Sequence, residues 1–70
     1  MKTVKELRQE RGQKITRMKE INELAGKEER DLSEDEQKEY DELKGLVETL
    51  QKRIERMEET EALVEDNERS

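Results

Sequence analysis

Side chains with oxygen atoms near the middle of the chain have the spacing of a possible metal site. Asp31, Ser33 and Asp35 alternate, and Glu42 is the twelfth residue counted from Asp31. An EF-hand calcium loop places oxygen ligands at such positions. The sixth position of that loop requires glycine for its sharp turn, and here it is Glu36. A helix start explains the same residues better, so we predict no metal and no other cofactor.

The side chains that most enzymes use for catalysis are scarce. The chain has no histidine and no cysteine. Its 21 carboxylates are plentiful, but raising the pKa of a carboxylate for acid–base chemistry requires a desolvated pocket. A two-helix array is too thin to provide one. We therefore predict that the protein is not an enzyme.

The composition favours one small helical domain. Hydrophobic residues make up 27% of the chain and charged residues 51%. No apolar run is long enough for a membrane span or a signal peptide, and one aromatic residue argues against a sheet. A single core of this size supplies only about 3–5 kcal/mol. Helix pairing or self-association must therefore stabilise the fold.

An apolar repeat dominates the second half of the chain. Between residues 40 and 64, apolar side chains recur at alternating steps of three and four, with Glu61 as the one polar member. This heptad spacing lines one face of a helix that pairs with another helix. The apolar members are Tyr40, Leu43, Val47, Leu50, Ile54, Met57 and Val64.

A second apolar series predicts a first helix from about Val4 to Ala25. Thr3 and Glu6 have the spacing of a capping box, in which side chains satisfy free amides at a helix start. Gly26 is expected to end the helix in the left-handed conformation, which glycine adopts without steric cost. The series consists of Val4, Leu7, Ile15, Met18, Ile21 and Ala25, and Arg11 and Lys14 interrupt it.

Residues 26–33 form the predicted connection, and a second helix is expected over about 34–64. Ser33 and Glu36 form a second capping box, and the polar tail 65–70 is expected to fray. Two helices joined by a short loop fold back on each other. We therefore predict an all-α fold, an antiparallel two-helix hairpin of the coiled-coil type. The glycine and the capping box at the connection argue against the alternative, a continuous rod.

The second predicted helix is longer than the first. Folding about the loop brings Val4 near Met57, so the second helix projects past the first by about two turns. Leu63 and Val64 lie in that projection and find no partner inside the hairpin. We therefore predict that the chain self-associates, as a dimer or a higher oligomer, or that further protein covers these side chains.

Charge is distributed unevenly along the chain. Residues 1–19 contain seven basic and two acidic residues, whereas residues 31–70 contain six basic and fifteen acidic residues. The two segments attract each other, within one chain or between chains. The net charge of −6 and the lack of stacking aromatic residues disfavour nucleic acid as a partner.

Two segments resemble the N-terminal region of major capsid proteins of tailed phages with the Hong Kong 97 fold. The first is Met-Lys-Thr-Val-Lys-Glu-Leu-Arg-Gln-Glu-Arg at residues 1–11, and the second is Arg-Asp-Leu-Ser-Glu-Asp-Glu-Gln-Lys-Glu-Tyr-Asp-Glu-Leu at residues 30–43. A helix with Leu50, Arg53 and Ile54 follows. In that family a helical segment of this kind, the delta domain, precedes the capsid fold. The resemblance covers nearly the whole chain.

The resemblance implies a scaffolding role inside the immature shell, or procapsid, which assembles in the cytoplasm of the bacterial host. Delta domains associate with one another, promote assembly, and in many phages are then removed by a maturation protease. The implied partners are other copies, the capsid body, and the protease or portal. The apolar series of both helices then serves helix pairing, with Leu63 and Val64 near the exit towards the capsid body. Seventy residues cannot form that body. The chain is therefore either a domain excised from a capsid protein or a separately encoded scaffold.

A regulatory binding module is the alternative function. Such a module presents acidic helices to a basic partner protein and regulates or inhibits it. It predicts a stable monomer that captures one protein in a salt-sensitive complex of one copy each.

Overall fold

A computed structural model describes residues 2–69 of the chain. Helix α1 comprises Val4–Lys27 and helix α2 comprises Glu34–Arg69. The two helices pack against each other as an antiparallel hairpin with overall dimensions of 59 × 18 × 17 Å. The predicted all-α hairpin is therefore confirmed, and the continuous rod is excluded for this chain.

Both helices begin at the predicted side-chain caps. The Ser33 hydroxyl accepts a hydrogen bond from the Glu36 amide at 3.2 Å, and the Glu36 carboxylate accepts one from the Ser33 amide at 2.9 Å. At the start of α1, the Thr3 hydroxyl accepts from the Glu6 amide at 3.2 Å. These bonds satisfy amides that have no partner within the helix, and they define where each helix starts.

The prediction for the end of α1 is wrong. Gly26 does not adopt a left-handed conformation and lies inside the helix, which continues to Lys27. Glu29, with a φ of 51°, takes the left-handed position instead. The Glu29 amide donates to the Gly26 carbonyl at 3.2 Å, and the Arg30 amide donates to the Ala25 carbonyl at 3.1 Å. This pair of bonds is a Schellman motif, shifted three residues beyond the expected glycine because glycine can also continue a helix at modest cost.

Replacing Glu29 with glycine is expected to stabilise the hairpin. A left-handed conformation costs a residue with a side chain about 1 kcal/mol or more, and glycine adopts it freely. Added backbone freedom in the unfolded chain offsets part of this gain. We expect Glu29→Gly to raise the free energy of unfolding by about 0.5 kcal/mol, measured by urea denaturation. Glu29→Ala is the control, because alanine keeps a side chain at the left-handed position, φ 51°, and should not gain this stability.

Helix α2 extends further than predicted. Residues 65–69, which the sequence analysis assigned to a frayed tail, are helical, and Ser70 lies outside the described residues. Glu65, Glu68 and Arg69 have good helix propensity, and the helix continues through the less favourable Asp66 and Asn67 between them. The part of α2 that projects past the start of α1, residues 58–69, is about 18 Å long; we call it the overhang.

The core is a narrow seam between the two helices. Leu7, Leu50 and Ile54 form a buried cluster, and Val4 and Met57 pack against it. This arrangement agrees with the predicted proximity of Val4 and Met57. The buried apolar side chains among the described residues are Leu7, Ile21, Ala25, Leu50 and Ile54. A seam with so few buried side chains gives a small domain little reserve of stability.

Arg30 joins the connection to the start of α2. Its guanidinium group contacts the carboxylates of Glu28 and Glu36 and donates to the Asp31 carbonyl at 3.1 Å. Hydrogen bonds from Arg30, and then from the Ser33 backbone, lower the pKa of Glu36 to about 2. The ionised form of Glu36 is therefore favoured by folding.

The depressed pKa of Glu36 predicts a loss of stability in acid. The contribution is complete above the ordinary glutamate value of 4.5 and disappears as the pH falls towards 2. Glu36→Gln removes the titrating group at this position. We expect the melting temperature of the wild type to exceed that of Glu36→Gln near neutral pH and the gap to close at low pH. A gap that is independent of pH would contradict this assignment.

Candidate self-association surface

Polar contacts along both edges of the seam fix how the helices align. Arg17 pairs with Glu39 through two hydrogen bonds, at 2.8 and 3.0 Å. On the opposite edge, Arg8 contacts Glu58. Exposed ion pairs contribute little stability on average, but pairs on both edges favour one register over its neighbours. Both pairs join the basic segment 1–19 to the acidic segment 31–70, whose attraction the sequence predicts.

Ile15 does not occupy the buried position that was predicted for it. Its side chain is 47% exposed, whereas Arg11 and Lys14 beside it are half-buried. Long basic side chains can be half-buried because their apolar stems cover the seam while their charged ends stay in contact with polar groups or water. The Arg11 guanidinium donates to the Gln51 side chain on α2. Ile15 is displaced to the edge because the burial pattern of α1 follows a heptad that passes through the basic residues.

A shallow apolar groove borders the displaced isoleucine. Ile15 and Met18 from α1 line it together with Tyr40 and Val47 from α2. Met18, Tyr40 and Val47 are half-buried, so each presents part of an apolar surface to the outside. A second shallow region continues from Ile15 and Val47 towards Gln51. One edge of the hairpin therefore presents a short apolar groove that the hairpin itself does not cover, and mostly charged side chains line the region beyond it.

Large apolar side chains are exposed at other places too. Leu24 is 49% exposed and Leu46 is 48% exposed. Each directly precedes a seam residue in its heptad, as Arg17 and Glu39 do, so both lie towards the edge that carries the Arg17–Glu39 pair. Both residues lie outside the two apolar series that the sequence predicts. The signal for each was an apolar residue at a heptad position that is normally polar.

The overhang leaves its apolar residues uncovered, as the sequence predicted. Leu63 is 61% exposed and Val64 is 49% exposed. The overhang also contains six acidic residues and one basic residue, Arg69. It is therefore a strongly acidic helix with a small apolar centre.

The predicted packing residues consequently fall into three groups. Leu7, Ile21, Leu50 and Ile54 are buried. Ile15, Leu63 and Val64 are exposed. The remaining members are half-buried along the seam, and these are Val4, Met18, Tyr40, Leu43, Val47 and Met57. The hairpin accounts for the first group, and the second is available for contacts with another molecule.

Other kinds of site receive no support from the geometry. Among residues 2–69, no three carboxylates come together in a way that could hold a metal ion. Asp31, Ser33 and Asp35 are exposed, and Ser33 is engaged in the helix cap. Neither helix of the described chain combines the length and apolar character needed to cross a membrane.

Comparison with protein-family models, with curated proteins and with solved structures gave no match. Function is therefore inferred from the types of residue in this chain and from the surface that the hairpin exposes.

Proposed function

We propose that this chain is an assembly domain that associates with further copies of itself. In the form that the sequence resemblance implies, it is the scaffolding domain of a phage major capsid protein and promotes procapsid assembly. One observation carries the proposal: among residues 2–69, five large apolar side chains are about half or more exposed. They are Ile15, Leu24, Leu46, Leu63 and Val64.

The distribution of these side chains supports assembly with several neighbours. They occupy both edges of the hairpin and the overhang instead of one patch. A single contact of this size buries little area, and association must also offset the loss of translational and rotational freedom. Each contact is therefore weak by itself. Tethering many copies to one shell raises their effective concentration, so weak contacts become sufficient.

Weak contacts also suit a scaffold that is later removed. A shell that rearranges during maturation needs contacts that can dissociate and re-form. The small apolar areas on the hairpin have that property. Removal by a maturation protease remains part of the proposal, and it follows from the resemblance alone.

A domain exchange tests the scaffolding role. We would join residues 1–70 to a capsid body of the Hong Kong 97 fold from which its own delta domain has been removed. Electron microscopy is expected to show closed shells with the joined chain and irregular aggregates with the body alone. The matched control carries Leu50→Ser, which disrupts the buried seam and should give aggregates. Irregular aggregates from the joined chain, under conditions where the native delta domain restores shells, would contradict the proposal.

A regulatory binding module remains the second candidate. The acidic overhang favours it, since a helix with six acidic residues can dock on a basic protein surface. This candidate requires a monomer at all concentrations and a partner bound one to one. Concentration-dependent association of the isolated chain separates the two candidates.

A further inference from the structure

One exposed face of α1, beside the seam, carries a stripe of basic residues around an apolar centre. Lys5, Arg8, Gly12, Ile15 and Lys19 follow one another at alternating steps of three and four, and therefore lie on one face of the helix. We call this set the α1 basic stripe. Every member is exposed. Gly12 has open space around it, so a neighbouring helix can approach the backbone closely there.

The overhang has the complementary pattern. Glu59, Leu63 and Asp66 are separated by steps of four and three, so they share one face of α2. All three are exposed, and Leu63 is the most exposed of the large apolar side chains, at 61%. On this face a leucine is flanked by two acidic residues. On the α1 basic stripe, glycine and isoleucine are flanked by basic residues.

We propose that the overhang of one copy docks on the α1 basic stripe of a second copy. This contact rests on the proposed self-association and specifies its partner surface. Leu63 lies against Gly12 and Ile15, and Glu59 and Asp66 pair with the basic residues on either side. The central contact removes two exposed apolar side chains from water, and the flanking pairs orient the helices.

The dimensions of the two surfaces match. Arg8 already contacts Glu58 of its own hairpin, so Lys5 and Lys19 are the available partners. They lie about 10 Å to either side of Gly12. Glu59 and Asp66 lie about 6 and 4.5 Å to either side of Leu63. Flexible lysine side chains span the remaining ~4–6 Å along the helix axis. The net charge of the overhang, from six acidic and one basic residue, opposes the positive charge of the stripe.

The proposed contact joins two different surfaces of the same chain. Each copy offers one overhang and one α1 basic stripe, so two copies either exchange both contacts across a two-fold axis or leave one of each surface free. Where one of each stays free, the contacts continue into rings or open chains. The contact is also electrostatic, so salt weakens it.

Charge-reversed variants of the full chain test the proposed contact. One variant reverses the stripe through Lys5→Glu and Lys19→Glu, and a second reverses the overhang through Glu59→Lys and Asp66→Lys. Each variant alone has like charges on both surfaces, and we expect association roughly 30-fold weaker than that of the wild type. Mixed in equal amounts, the two variants should associate, because each overhang then faces a stripe of opposite charge.

A control variant separates this contact from net charge. Lys38→Glu with Lys44→Glu changes the net charge from −6 to −10, as the stripe variant does, but alters exposed residues outside both surfaces. Circular dichroism first shows that every variant is helical, and sedimentation velocity then measures association. The proposal requires wild-type association in the control and recovery in the mixture. Equal association of the wild type and the stripe variant, or no recovery in the mixture, overturns the contact but leaves the proposed function standing. A wild type that stays monomeric contradicts both.

Discussion

Ile54→Ala is expected to remove most of the stability of the hairpin. Ile54 is 2% exposed and lies in the buried cluster with Leu7 and Leu50. Truncating a buried isoleucine costs about 2–4 kcal/mol, through lost burial and the cavity left behind. A core of this size supplies only about 3–5 kcal/mol in total. Thermal unfolding followed by circular dichroism at low protein concentration measures the loss, free of any contribution from association.

Leu46→Ala is the matched control for Ile54→Ala. It removes a side chain of the same size from the same helix, but Leu46 is 48% exposed. We expect its melting temperature to stay within a few degrees of the wild type, corresponding to less than about 1 kcal/mol. Equal destabilisation by the two substitutions would mean that the seam does not carry the stability of the hairpin.

Gly12→Ala together with Gly45→Ala is expected to stabilise the hairpin by about 2 kcal/mol, since each glycine costs a helix about 1 kcal/mol relative to alanine. Both glycines lie inside helices with negative φ. A methyl group added at either position meets no atom within 4 Å. The added side chains therefore reduce the freedom of the unfolded chain and introduce no clash.

Urea denaturation of the double variant at low concentration measures this gain. Gln13→Ala is the control, because glutamine and alanine differ far less in helix propensity than glycine and alanine do. We expect it to change the free energy of unfolding by less than about 0.5 kcal/mol. A double variant no more stable than this control would indicate that the helices are already distorted at the glycines.

Local rules predicted the parts of this fold that depend on neighbouring residues. The capping spacing of Ser33 and Glu36 located the start of α2. The apolar heptad identified Leu50 and Ile54 as buried residues. The difference in helix length predicted that Leu63 and Val64 would be exposed. Each of these features follows from periodicity or from hydrogen bonds within one turn.

The end of α1 could not be predicted in the same way. Gly26 satisfies the usual signal for a helix end, but the helix passes through it and ends in a motif centred on Glu29. Glutamate seldom adopts a left-handed conformation, so its presence in the sequence does not predict one. The extra turn forms because its backbone hydrogen bonds outweigh the small cost of glycine within a helix.

The candidate site was only partly predictable, because the seam of α1 contains charged residues. Arg11 and Lys14 occupy seam positions, and a search for apolar periodicity assigns Ile15 to the seam in their place. Packing against α2 favours the basic pair there, since Arg11 reaches Gln51. As a consequence, Ile15 becomes part of the exposed surface. Its exposure depends on the register between helices, which no single helix specifies.

Sedimentation equilibrium of the wild-type chain tests directly whether the hairpin associates with further copies of itself. We would measure the average mass over a wide concentration range at low and high salt, with helicity followed in parallel. The account predicts a monomer at low concentration and a mass that rises reversibly with concentration, less steeply at high salt. A helical monomer at every concentration would contradict the assembly role and favour a module that binds a different protein.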